Sequence, residues 1–521
     1  MHARSMTPGT LIGALESSWE RWPDRPALTS GGRITTYAQL GAAVRRLAEA
    51  YRRLGIGPSD RVVCSAANRP EHVVAIGAAW SAGAVHVGAD FQLTGPELAR
   101  IVEMTRAAAL VYEPPGGGPD PLAALGAVRE EHPGLVVLVV GDRPVPAGCR
   151  ALAELAAAGA ETETGSARRG PAPGDAALIF TSSGTTGTPK ATLGYHGNLA
   201  ERWRRLGGWL RFGPEDVHLA HLPLSHGFGM MMAMGALFTG GRLVLMDRFT
   251  PDEALRRIAC EGVTVLNGAP AHFRLVLDRL ARDGGDVGAL RLSVGTAATF
   301  PPELVRDIWD RLGVEFMYMY GSSEGVGVAT TDREDIMRGS VGRPAPGSVV
   351  VVDEERRPVP AGVVGEVAFS RGVYPVRYWD EAGTAEGGWY YSGDLGRMDG
   401  EGRLYVFGRL KHRIDRGGLK VDPVEVECAL LRLSGVADTA VIGLADPVMG
   451  ETVCACVVPA PGESPELASL RLALGAELAP YKLPEALCVL ERIPRTRLGK
   501  VDLPALRAMA EAAPRRRLAA R

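Results

Sequence analysis

Between about residue 35 and residue 113, helix-patterned stretches alternate with short β-branched runs. Tyr37 to Leu54 repeats apolar residues at helical spacing, Arg61-Val-Val-Cys64 reads as a strand, a helix follows near Val73 to Ala82, and Ala108-Ala-Leu-Val-Tyr112 reads as another strand. This alternation constrains the fold more than any other feature, because strands joined through helices lie parallel and are covered on both faces. A second series of the same kind runs from Asn198 to Thr330. From Gly339 to Arg409 the pattern changes to short strands with Gly and Pro turns, which predicts a small β-barrel-like region, and Ile414 to Leu503 returns to α+β character. With 521 residues the chain has room for several domain-sized cores.

The run Phe180-Thr-Ser-Ser-Gly-Thr-Thr-Gly-Thr-Pro-Lys-Ala191 follows a predicted strand, Ala176 to Phe180. Gly184 and Gly187 let backbone N–H groups approach an anion, and Thr181, Ser182, Ser183, Thr185, Thr186 and Thr188 add hydroxyl donors beside the positive charge of Lys190. That chemistry suits a polyphosphate. A Walker loop would require G-x-x-x-x-G-K-[ST], whereas here proline precedes the lysine and alanine follows it.

A formal net charge of -2, without a strongly charged half, gives no pull toward nucleic acid or a membrane surface. The seven cysteines have neither C-x-x-C pairs nor histidines at zinc spacing, which fits a reduced, cytoplasmic setting. Cys454 and Cys456 lie two apart in an apolar run, on one face of a predicted strand and so in a core. No apolar run reaches transmembrane length, and the N-terminal segment lacks the sustained apolar stretch of a secretory signal.

Further motifs follow in a fixed order. They are Tyr37-Ala-Gln-Leu, Asp60-Arg-Val-Val, the phosphate run, Tyr320-Gly-Ser-Ser-Glu324-Gly, Tyr391-Ser-Gly-Asp394-Leu, Gly408-Arg409 and Pro494-Arg-Thr-Arg-Leu-Gly-Lys-Val-Asp502. Together they resemble the adenylate-forming superfamily of acyl- and aryl-CoA synthetases, nonribosomal peptide synthetase adenylation domains and firefly luciferase. The resemblance covers nearly the whole chain. It implies an α/β fold: a large N-terminal domain, residues 1–410, of two α/β subdomains plus a small β-barrel, followed by a small mobile α+β C-terminal domain, residues 411–521. It also implies a two-step reaction. A carboxylate attacks the α-phosphorus of ATP to give acyl-AMP and pyrophosphate, and a thiol then takes the acyl group.

By this likeness Thr181 to Lys190 grip the ATP phosphates, and Tyr320 stacks on adenine beside Gly321, Ser322 and Ser323, the last standing where the family pattern has threonine. Glu324 holds Mg²⁺. Asp394 and Arg409 take the ribose, and small residues at Thr296 and Ala297 let adenine approach. Lys500 bridges the carboxylate and the α-phosphate, and His226 stands beside the reacting acid. Gly227 occupies the place where amino-acid-activating members carry an aspartate, so an α-amino acid is a poor substrate, its ammonium being left without a buried partner. Met230 and Met231 are candidate residues of an apolar pocket wall, although ordinary core packing is the favoured reading. Gly295 and Gly325 are read as pocket positions, the latter leaving room for a bulky acid. The hinge of the family pattern G-R-x-K-[DK] falls on His412, which either ties domain rotation to a side chain titrating near neutrality or serves only as a backbone pivot. Gly417 and Gly418 leave space for a pantetheine arm. The expected substrates are ATP, an apolar (fatty, aryl or polycyclic) acid and coenzyme A. The alternatives are loading of a carrier-protein phosphopantetheine and a non-catalytic nucleotide sensor.

Overall fold

The computed structural model describes residues 9–114, 123–141, 145–158, 170–182, 190–322, 324, 327–371, 373, 377–379, 388–417, 419–497, 499–513 and 516–517. Two largely parallel sheets form its body. The first has seven strands and contains Arg61–Ser65, Val85–Ala89, Ala109–Tyr112 and Val136–Val139, all parallel to their neighbours. It ends in the hairpin Ala176–Ser182 and Lys190–Tyr195, where Ser182 lies opposite Lys190. The phosphate run thus joins two antiparallel strands, whereas a Walker loop joins a strand to a helix.

The second sheet has eight strands. Val217–Ala220, Arg242–Leu245, Val265–Gly268, Leu292–Gly295 and Glu315–Gly321 run parallel, and Gly327–Thr330 closes one edge antiparallel to Glu315–Gly321. Toward the other edge Pro26–Ser30 pairs parallel with Arg242–Leu245, and Arg33–Thr36 forms the edge antiparallel to it. The start of the chain therefore belongs to the second sheet, although it precedes every strand of the first.

Helix Tyr37–Arg53 shows how local sequence and packing agree. Thr36 accepts from the Gln39 N–H while the Gln39 side chain accepts from the Thr36 N–H, a reciprocal cap that satisfies orphan donors. Tyr37, Leu40, Val44, Leu47 and Tyr51 then fall on one face and are fully buried. Helix Pro70–Ala82, buried almost all round, starts with proline and ends at Gly83 in the left-handed conformation.

The expected barrel-like region is a four-stranded antiparallel sheet of Val349–Val352, Gly365–Ser370, Trp389–Met398 and Leu404–Arg409, in sequence order. A one-turn 3-10 helix, Leu410–His412, leads to the C-terminal sheet, whose long hairpin pairs Val436–Asp446 with Gly450–Pro459. Cys454 and Cys456 are fully buried there, as their spacing predicted, and all seven cysteines are free. No helix among the described residues is long and apolar enough to cross a membrane.

Candidate active site

The sequence motifs converge at the carboxyl ends of the parallel strands, where open α/β sheets bind ligands. Asp90 follows strand Val85–Ala89, Thr181 ends Ala176–Ser182, Thr296 follows Leu292–Gly295, and Tyr320 ends Glu315–Gly321. The small antiparallel sheet adds Asp394 and Arg409, which are register partners on neighbouring strands. Their proximity is therefore set by backbone pairing: Arg409 Nε lies 2.8 Å from Asp394 Oδ1. On the other oxygen, the Tyr320 hydroxyl donates to Asp394 Oδ2 at 2.6 Å.

Burial raises the Asp394 carboxyl, opposed by the Arg409 charge, the Tyr320 hydrogen bond and the field of Lys500. Lys500 is held below its ordinary value by the protein packed round it and by Arg409, with Asp394 and Glu324 acting in the opposite direction. The residue nevertheless keeps solvent-exposed surface. Among the described residues no carboxylate comes within ion-pair distance of its ammonium.

Glu324 sits in the turn between the antiparallel strands that end at Gly321 and begin at Gly327. Tyr378 donates to its Oε1 at 3.3 Å, and burial followed by the Glu324 charge pushes the nearby Tyr390 hydroxyl far up. Sequence reasoning missed both tyrosines: Val373-Tyr-Pro-Val-Arg-Tyr378-Trp carries no motif, and Tyr390 stands one residue before the Tyr391-Ser-Gly-Asp394 run. The signal that places Tyr378 is tertiary: its segment bridges to Thr192, in the strand after the phosphate run. Buried Ser322 Oγ has no partner among the described residues, an orphan hydroxyl that a phosphate oxygen would satisfy. Ala297 holds φ at +74°, a strained value for a residue with a Cβ, at the strand end read as the adenine site. Thr296 is buried and its N–H donates to the Gly268 carbonyl at 3.0 Å. Thr181 spends its hydroxyl proton on the Gly88 carbonyl at 2.9 Å, anchoring the start of the phosphate run to the adjacent strand. Ser183, Gly184, Thr185, Thr186, Gly187, Ser323, Gly325 and Gly418 lie outside the described residues, and for Ser182 and Lys190 only the backbone is described.

The acid side departs more from expectation. His226 is the N-cap of helix Gly227–Phe238, with Nε2 3.8 Å from Asp90 Oδ2, so it does stand at the cleft. Gly227 is half-buried beside it, and a Cβ there would meet Phe180 at an ordinary 3.6 Å. Met230, by contrast, is 0% exposed and Met231 only 7%, both inside the largest core cluster, so the core reading of Met230 holds. Gly295 is corrected as well: a Cβ there would lie 2.4 Å from Phe316 and 2.6 Å from Phe300, so the position faces packed aromatic rings.

Lys500 is presented by a tight turn in which the Thr496 N–H donates to the Lys500 carbonyl at 2.7 Å and the Gly499 N–H to the Thr496 carbonyl at 2.8 Å. Gly499 has φ +75°, and a Cβ there would come within 2.8 Å of Ala269 and 2.9 Å of His272, so glycine permits the close approach of the turn to the large domain. His412 is partly buried, and burial together with Lys411 and Arg409 pushes its pKa down to about 4. That shift favours the neutral imidazole near pH 7 in this conformation. Gly417 forms the tip of a hairpin, its N–H donating to the Met449 carbonyl at 2.7 Å.

This cleft, framed by two parallel sheets, a small antiparallel sheet and a lysine turn from the C-terminal region, defines a nucleotide-handling α/β enzyme. Residues 15–375 match the family described as AMP-binding enzyme, and residues 425–500 match the AMP-binding enzyme C-terminal domain. The chain belongs to this family, the adenylate-forming superfamily. It is 36% identical to a 2-hydroxy-7-methoxy-5-methyl-1-naphthoate–CoA ligase of Streptomyces carzinostaticus, covering 96% of this chain and 93% of that protein. It is 33% identical to a salicylyl-CoA synthase / salicylate adenylyltransferase of a Streptomyces species, covering 96% and 93%. Among solved structures, ATP-bound MatB from Rhodopseudomonas palustris is similar, with a TM-score of 0.82 and 27% identity over 97% of this chain and 99% of that one.

Proposed function

We propose that this enzyme is an ATP-dependent acid–thiol ligase that adenylates an apolar carboxylic acid, with an aromatic acid favoured, and transfers the acyl group to coenzyme A. The observation that carries the proposal is Lys500 standing in one cleft with Asp394, Arg409, Glu324 and Tyr320, unpaired with any described carboxylate. Joining a carboxylate to a triphosphate brings two anions together, so catalysis rests on positioning and on charge that cancels repulsion. Lys500 supplies that charge between the acid and the α-phosphate. The carboxylate of Asp394 has about four acceptor positions, of which Tyr320 and Arg409 take two, leaving acceptors for both ribose hydroxyls. Tyr320 leans on Phe369 with ring centroids 6.0 Å apart, and its other face serves adenine.

Glu324 fits Mg²⁺. Among the described residues no group of three His, Cys, Asp or Glu side chains comes together for a metal, and a single carboxylate suits an ion held mainly by phosphate oxygens. Bound there, the ion would neutralise phosphate charge, and Tyr378, donating to Glu324, would orient the carboxylate that holds it. The half-buried pair His226 and Gly227 borders the acid, and the absence of a carboxylate at Gly227 disfavours an ammonium-bearing substrate. Aromatic acids are favoured because the relatives above are named for a naphthoate and a salicylate. The domain junction falls at 410/411, at the one-turn helix carrying His412.

A pyrophosphate-release screen over fatty, benzoic, cinnamic and polycyclic acids tests this reading. Acid-dependent release with aryl acids, followed by acyl transfer to free coenzyme A, is expected. Transfer only to a carrier protein would replace the acceptor, and absence of release with every acid would leave a nucleotide-binding sensor.

A further inference from the structure

The turn that carries Lys500 also carries Arg497, and Arg497 reaches the large domain at three points. Its Nη1 lies 3.4 Å from both carboxylate oxygens of Asp90. Its Nη2 donates to the Asp247 carbonyl at 3.0 Å. Its guanidinium carbon sits 4.3 Å from the centre of the Phe91 ring. Asp90 and Phe91 follow a strand of the first sheet, and Asp247 follows a strand of the second, so one side chain engages both sheets.

The receiving side is organised for a cation. Asp90 is fixed from behind, its Oδ1 accepting the Gln92 N–H at 3.0 Å. Burial alone would raise its carboxyl, but the nearby His226 imidazole, the charge of Arg497 and the Gln92 N–H hold it below the usual carboxylate range. On the donor side the turn is stiff. Besides the two backbone bonds closing residues 496–500, Arg495 donates through Nη2 to both oxygens of Asp438 at 2.8 Å and through Nη1 to the Gly499 carbonyl at 3.2 Å. A displacement of Arg497 is therefore transmitted to Lys500, and so is its anchorage.

We infer that Arg497 and Asp90 form an interdomain latch that positions Lys500 over the nucleotide for adenylation. Arg497 is a positioning residue, acting only through Lys500. The latch rests on the proposed adenylation chemistry, and it adds a residue pair that the motif pattern does not distinguish: position 497 is simply one of the variable places between Thr496 and Gly499. Its link to His226 through Asp90 places the latch beside the acid as well as beside the nucleotide.

The test uses the full-length enzyme and an aryl acid that the wild type accepts, following ATP–pyrophosphate exchange separately from acyl transfer of preformed acyl-adenylate to coenzyme A. Arg497→Ala is expected to slow exchange by about 10- to 100-fold, since a shift of about 1 Å at a reacting group costs on that scale, while transfer from the preformed adenylate is kept. In a Lys500→Ala background the same substitution should add less than about twofold, because its effect runs through Lys500. The charge exchange Asp90→Arg with Arg497→Asp should recover part of the loss. Equal losses in both half-reactions, an additive loss in the Lys500→Ala background, or unchanged exchange would overturn the latch. If Arg497→Ala does not fold, Arg497→Lys decides by the same split, because lysine keeps the charge and loses the fork. Failure of the wild type to exchange with any acid would instead remove the adenylation reading itself.

Discussion

The proposed nucleotide side and the proposed acid side of the cleft are marked by the same kind of sequence motif, but they differ in the structure. On the nucleotide side Asp394 and Arg409 are register partners, and Tyr320 joins them through one hydrogen bond. On the acid side His226 and Gly227 line the opening, whereas Met230 and Gly295 turn into packed cores. Charged groups cannot be buried unpaired, so a motif of charges in an interior cleft announces its own meeting place. An apolar or glycine position carries no such demand and serves a pocket or a core equally well.

The strongest way to break this comparison is at Lys500. Lys500→Ala should lower ATP–pyrophosphate exchange by about 10³-fold, the scale of one close charge contact at roughly 4 kcal/mol, with circular dichroism unchanged; near-normal exchange would strip the nucleotide side of its main actor. Next comes Asp394→Asn, which keeps the shape but weakens the charge-assisted bonds. The KM for ATP should rise about 10- to 100-fold, from a loss on the order of 1.5–3 kcal/mol, with little change in the KM for the acid.

On the acid side the two glycines should separate. Gly295→Ala drives a methyl group into Phe300 and Phe316 and should cost about 1–3 kcal/mol in chemical denaturation; Gly227→Ala should leave stability nearly unchanged and shift the preference among aryl acids. Stability loss at Gly227 with selectivity loss at Gly295 would reverse the assignment of the two positions.

The effect spread over the most residues is in pH. Burial holds His72, His196, His218 and His272 down at about 4 and His221 at about 3. Their folded pKa values lie below the unfolded value near 6.5, so the unfolded chain binds more protons between these limits. The stability these histidines contribute is complete above about pH 6.5 and is lost as pH falls toward 4. Denaturation midpoints measured between pH 7 and pH 4 should fall steadily, and replacing His221 with Gln should flatten the slope. A midpoint independent of pH over this range would show that these histidines are not buried neutral.

Much of the fold was legible because two signals agreed. Periodicity put a helix from Tyr37 to Leu54 and strands at Arg61 and Ala108, and the structure has them at Tyr37–Arg53, Arg61–Ser65 and Ala109–Tyr112. Membership of Pro26–Ser30 in the second sheet was not legible, since pairing with Arg242–Leu245 leaves no trace in local pattern. Tyr378 and Asp90 escaped for the same reason: each belongs to the site through a neighbour distant in sequence.

By itself the amino-acid order determined the α/β class and the adenylate-forming family and marked the charged residues proposed for the nucleotide side, because hydrophobic period and charged motifs are written locally. Only the tertiary structure decided that Met230 and the Cβ side of Gly295 meet packed cores, that burial pushes the His412 pKa down, and that Arg497 fastens the Lys500 turn to Asp90. Facing, burial and long-range contact depend on how separate elements pack, and no single stretch of chain contains that information.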